Sequence, residues 1–134
     1  MASTRLSRVR GVADWLGIFA SGACALHCLL VPALLVAGLA LPGPLASDEV
    51  FHEAVLRVIV PVSIVAFGIG CWRHKDRWVL GLAAVGVAGM VAAVTVLHDV
   101  AGENGERAAT LLSAVCLIAA HYRNFRLCRS ADNA

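Results

Sequence analysis

Four apolar stretches run through this chain: Val12 to Leu41, Ala54 to Trp72, Trp78 to Leu97, and Ala108 to Tyr122. The charges gather in the segments between them. A helix needs about 20 apolar residues to cross the hydrocarbon layer of a bilayer. The first and third stretches meet that length outright. The second carries Arg57 one turn in and the fourth is short, but Arg57, Arg107 and Arg123 sit near span ends, where their stems snorkel to the headgroups. Of the 134 residues, 60% are hydrophobic and 15% charged, with a mean hydropathy of +0.80. That is outside the balance of an ordinary soluble domain. The expectation is all-α: an integral membrane four-helix bundle, one domain over residues 1–134, with spans about 12–41, 54–72, 78–97 and 107–124.

Orientation follows from the cations. Arg5, Arg8 and Arg10 precede the first span; Arg73, Lys75 and Arg77 separate the second from the third; Arg123, Arg126 and Arg129 follow the fourth. The other two connections hold Asp48, Glu49 and Glu53, then Asp99, Glu103 and Glu106. The positive-inside rule puts both termini and the middle connection in the cytoplasm. The net charge of +2 is this asymmetry. No aromatic platform lies between the basic residues, which argues against nucleic acid as a partner and leaves membrane lipid. The first ten residues read as a basic topogenic tail. Ser21-Gly22-Ala23-Cys24 has a faint likeness to a lipoprotein cleavage site, but the apolar run continues to Leu41, too long for a signal core, so a retained helix is expected.

The chemistry centres on Cys24, His27 and Cys28 in the middle of the first span. Residues three and four apart share a helix face, so two thiols and an imidazole can converge within the membrane. Ala13, Asp14, Gly17 and Ser21 lie toward the same side, while Leu26, Leu29 and Leu30 lie mostly elsewhere. In lipid, small and polar residues face the bundle, so this side is expected to look inward. Asp14 reads either as an interfacial helix start or as a working intramembrane carboxylate. Pro32, one turn past Cys28, predicts a kink. Pro42-Gly43-Pro44 is a rigid break, Gly81, Gly86 and Gly89 read as packing positions, and Ala101 to Glu106 reads as a turn.

The soft ligands sort by depth. His52 and His98 fall at the outer end, Cys24, His27 and Cys28 near the midplane, and Cys71, His74, His121 and Cys128 at the cytoplasmic side; Cys116 reads as a small core residue. Thiolates and imidazoles favour soft or borderline ions, mercuric, cuprous or zinc, over calcium or magnesium. The candidate metal residues are therefore Cys24, His27, Cys28, Cys71, His74, His121 and Cys128, with a transient ion as cargo and no permanent cofactor. Two thiolates one turn apart can hold a two-coordinate ion, with His27 as third ligand or proton acceptor. No phosphate loop or dinucleotide fingerprint occurs, so the expectation is neither an enzyme nor an ATP-driven pump, and movement would be downhill, driven by trapping inside.

Two rivals belong to other classes. A membrane thiol oxidoreductase would use paired cysteines, but C-x-x-x-C on a regular helix closes a relaxed disulfide poorly. A haem-binding bundle would use axial histidines, and no pair falls at obviously matched depth. A structural subunit of a larger complex is a third reading, and four short helices around one site are compatible with a homodimer.

Asp14-Trp15-Leu16-Gly17, Ser21, Cys24-Ala25-Leu26-His27-Cys28, Pro32, His52, Cys71 to His74, Gly102-Glu103 and Ala120 to Cys128 together resemble the MerC family of mercury-resistance membrane proteins. The resemblance covers nearly the whole chain. It implies a four-helix, multi-pass protein of the bacterial inner membrane that moves mercuric ion from the periplasmic side to a cytosolic acceptor such as mercuric reductase. It also implies that the thiol pair of the first helix, here Cys24 and Cys28, is the essential site.

Overall fold

The computed structural model describes residues 2–39, 42–43 and 47–133. The expected end of the first span at Leu41, Pro44 of the rigid break, and the side chains of Asp48, Glu49 and Arg73 lie outside the described residues. The regular elements are helical: α1 (Ala2–Val36), α2 (Asp48–His74), α3 (Arg77–Ala92), a π-helical turn (Ala93–Leu97) and α4 (His98–Asp132). Three helical stretches are long and apolar enough to cross a membrane: Arg5–Val36, Val50–Trp72 and Arg77–Asp132.

The third stretch has 56 residues. As a straight rod it would measure roughly 84 Å at 1.5 Å per residue, far more than a hydrocarbon layer of about 30 Å. It is not straight. Gly102 sits at φ 68°, ψ −177°, a conformation that only glycine adopts readily. On either side of it α3 and α4 form the most extensive helix pair in the molecule. Gly86 faces Leu117 and Gly89 faces Ser113, pairings that run in opposite directions along the chain, so the two helices are antiparallel. The turn expected over Ala101 to Glu106 is thus concentrated in one residue, and helical hydrogen bonding continues up to it from both sides.

Helix ends are set by local chemistry. At the end of α1, Gly38 is left-handed (φ 76°), its N–H donates to Leu35 O at 3.0 Å, and Leu39 N–H donates to Leu34 O at 3.0 Å. This double bond pattern closes the helix at Val36, short of the apolar run's end. The basic N-terminal residues are helical as well: Arg10 is buried and donates to Asp132 at 2.8 Å, tying the start of α1 to the end of α4. Ser47 Oγ accepts from Val50 N–H at 3.4 Å and starts α2 at Asp48, six positions before the apolar run begins at Ala54.

Asp76 starts α3 by accepting from Val79 N–H at 3.0 Å, and Arg123 of α4 donates to its other oxygen at 2.8 Å. The Arg123 guanidinium, then the helix-start N–H groups, hold this carboxyl below its ordinary value of 3.8. A carboxyl lowered on folding contributes stability above its ordinary value, and that contribution disappears as pH falls through the lowered one. Acid unfolding in detergent is therefore expected to steepen below about pH 4 in the wild type, and less so in Asp76→Asn. Equal profiles would remove Asp76 as a cause.

The exterior is apolar: Phe19, Leu26, Leu29, Ile64, Trp78, Val85 and Leu112 are exposed. One buried cluster joins Cys24, Ile59, Met90, Ala114 and Leu117, and a second joins Phe67, Val79, Ala83 and Ala120. Polar side chains are inside instead, among them Asp14, Ser21, His52, Ser63, Glu106, Thr110, Ser113, His121 and Asn124. Outward hydrocarbon and inward polarity suit a lipid surround.

Candidate metal centre

Cys24 and Cys28 lie one turn apart on α1, and both are buried. The α2 start at Asp48 places His52 in the second turn, facing the same point. The two Sγ atoms and one imidazole nitrogen of His52 all lie within 4.8 Å of one another. His52 Nε2 is 3.1 Å from Cys28 Sγ, and His52 Nδ1 is 3.1 Å from Glu106 Oε1. A carboxylate only accepts, so Nδ1–H of His52 donates to Glu106 and the Nε2 lone pair is left facing the thiol. The other Glu106 oxygen lies 2.8 Å from Nδ1 of His98. His98 and Glu106, with Val31, Leu35, Ser47, Thr95 and Arg107, line a cleft of about 560 Å³ at this end of the molecule.

His27 is buried beside the group, with its ring stacked on Phe51 at 3.9 Å and edge-on to His52 at 5.5 Å between centroids. The imidazole that meets both thiols is that of His52. The remaining candidates lie elsewhere. Cys71 is half-buried, and Cys128 is buried with its thiol 3.9 Å from Gly70 O; Cys116, expected as a small core residue, is also half-buried. All five cysteines are free thiols.

His121 and His74 belong to a second polar group, on the far side of the Cys24 cluster. His121 Nδ1 donates to Asp14 Oδ1 at 3.0 Å, and its Nε2 is 3.2 Å from Ser63 Oγ. Asn124 Nδ2 donates to both Asp14 oxygens at 3.0 and 2.9 Å and to Ala66 O at 3.2 Å. His74 Nε2 donates to Asn124 Oδ1 at 2.9 Å, and Asp76 N–H donates to His74 Nδ1 at 3.0 Å. Glycines make the room: a Cβ on Gly17 would overlap the His121 ring, and one on Gly70 would overlap the Asn124 amide. Asp14 does not begin the helix, since α1 starts at Ala2; its carboxyl is fully buried and joins α1 to α4.

Sequence reasoning assigned His52 and Glu106 to outer loops. Two signals pointed further in. Ser47 followed by acidic residues is a helix-start pattern, which carries His52 onto α2. Glu106, Thr110, Ser113, Leu117, His121, Asn124 and Cys128 recur at three- and four-residue spacing, one continuous stripe that runs past the expected span start. All seven are buried on α4.

Comparison with curated proteins and with solved structures finds no match. The family model for MerC mercury resistance protein matches residues 14–126, a segment that contains both polar groups and the Gly102 reversal. A multi-pass membrane protein with a buried Cys–Cys–His group able to hold a metal ion, the chain belongs to the MerC mercury resistance protein family.

Proposed function

We propose that the protein carries a soft or borderline metal ion, mercuric ion foremost, across the bacterial inner membrane from the outer side to the cytoplasm. The observation that carries this reading is the convergence of Cys24, Cys28 and His52 in a buried group. The helices would cross four times as a single domain with both termini cytoplasmic, a reading supported by Arg123, Arg126 and Arg129 at one end and Asp99, Glu103 and Glu106 at the other. The ion would arrive through the cleft beside His98, displace the thiol protons, and be held as a neutral dithiolate complex. Release would follow by ligand exchange toward Cys71, His74, His121 and Cys128, and a thiol-bearing cytosolic acceptor such as mercuric reductase would draw the ion onward. His27, beside the group, would join as an alternative nitrogen ligand during exchange.

Uptake into vesicles tests this reading. Purified protein in liposomes loaded with a dithiol chelator should accumulate mercuric ion well above protein-free liposomes, on the order of tenfold faster if exchange at the thiols limits the rate. Accumulation equal to that of protein-free liposomes overturns transport.

A further inference from the structure

We propose that the Cys24, Cys28, His52 group also accepts a zinc-class cation, a borderline divalent ion taking three protein ligands with one position open, and that Glu106 is the positioning residue for that ion. The inference rests on the metal-carrying reading above and names a further substrate class for the same site. Three observations lead to it.

The first is the ligand set. Mercuric ion is satisfied by two thiolates in line, whereas a borderline divalent ion takes mixed sulfur and nitrogen ligands at tetrahedral positions. Two thiolates alone suffice for a two-coordinate ion; here the ligand atoms of Cys24, Cys28 and His52 all lie within 4.8 Å of one another, so a third, nitrogen ligand is within reach of the same ion.

The second is how His52 is held. Its Nδ1 is engaged by Glu106 at 3.1 Å, its Nε2 faces Cys28 Sγ at 3.1 Å, and its side chain is fully buried. This is the carboxylate–histidine arrangement that fixes the tautomer of a metal-binding imidazole and raises its basicity. Burying Glu106, whose side chain is only 6% exposed, is costly unless the carboxyl is fully used. It is used twice, by His52 on α2 and by His98 at the cleft.

The third is charge. Two thiolates and a divalent cation sum to zero, leaving the Glu106 carboxylate as the remaining negative charge beside the site, whereas a monovalent ion would add a second uncompensated negative charge in a medium that disfavours it. This argues for zinc-class over cuprous ion. Three protein ligands leave one coordination position for an incoming or departing ligand, which a carrier needs and a closed structural site lacks.

The test is binding of zinc, cobaltous and mercuric ions, each alone, to the full-length protein in detergent, in wild type, His52→Ala, Glu106→Leu and Glu106→Gln. Wild type is expected to bind one zinc or cobaltous ion per chain, the cobalt form showing sulfur-to-metal charge-transfer and tetrahedral bands. Glu106→Leu should weaken zinc about 10- to 100-fold and change mercuric binding less than about threefold, and Glu106→Gln, which keeps an acceptor for His52, should recover part of the loss. His52→Ala should weaken zinc at least as much as Glu106→Leu, and a thermal melt matching the wild type shows that each variant is folded. Zinc binding unchanged in both His52→Ala and Glu106→Leu overturns the inference, as does an equal fall for zinc and mercuric ion. Wild type that binds mercuric ion but no zinc overturns it while sparing the carrier reading. Wild type that binds neither overturns the carrier reading itself.

Discussion

Cys24→Ser combined with Cys28→Ser is expected to remove the tight soft-metal site on α1, weakening binding by on the order of a thousand-fold or more. Metal binding by four protein ligands is worth about 10–16 kcal/mol, so two thiolates account for several kcal/mol, and each 1.4 kcal/mol is a factor of ten. A hydroxyl does not replace the thiolate at neutral pH. Serine matches the cysteine closely in volume, so packing against Ile59, Met90 and Leu117 should survive. Isothermal titration of mercuric ion, with a thermal melt of each variant as control, checks this. A double variant that melts like the wild type and still binds with wild-type affinity would place the site elsewhere, with Cys71 and Cys128 the next pair to examine.

The second large effect concerns Asp14, which is expected to hold the other half of the molecule together. Asp14→Ala removes the acceptor for Asn124 and for His121 in one step, with both partners fully buried. Breaking a buried pair by deleting one partner costs about 3–5 kcal/mol in soluble proteins. Interhelical hydrogen bonds in membrane proteins average nearer 0.6 kcal/mol, because helices separated in lipid find other partners. Three donor contacts converge on this carboxyl, so a loss of about 2–3 kcal/mol is expected, between those limits. Asp14→Asn, which keeps a carbonyl acceptor, should lose less. Denaturation in mixed detergent micelles measures both. Equal stability for wild type and Asp14→Ala would mean that the network adds nothing net to folding.

Gly17 serves the same contact from the same face of α1. Asp14 and Gly17 lie one turn apart on α1, the first holding His121 and the second making room for its ring. Through this pairing the small, polar face of α1 receives the polar stripe of α4.

Much of this was legible in the residues. Apolar runs broken by charge clusters dictate helices in a bilayer, because lipid offers backbone groups no partners and helical bonds satisfy them internally. The spacing of Cys24, His27 and Cys28 put three soft ligands on one region of α1 from helical period alone. The inward face of α1, with Asp14, Gly17 and Ser21 on it, was legible for the same reason. Helix limits were less so. Hydropathy marks where apolar residues stop, whereas α2 begins where Ser47 supplies an acceptor and α1 ends where Gly38 turns left-handed.

Which imidazole meets the thiols was decided by tertiary structure. His27 is adjacent to Cys28 in the chain, but neighbours in a helix point about 100° apart, and its ring stacks on Phe51. His52 comes from another helix and is held by Glu106 from a third, a relation between segments that no local period encodes. Local periodicity determined the helices and the thiol pair by itself; the nitrogen ligand and the carboxylate behind it depended on how α1, α2 and α4 pack, since a buried polar side chain takes its partner from whichever helix is brought against it.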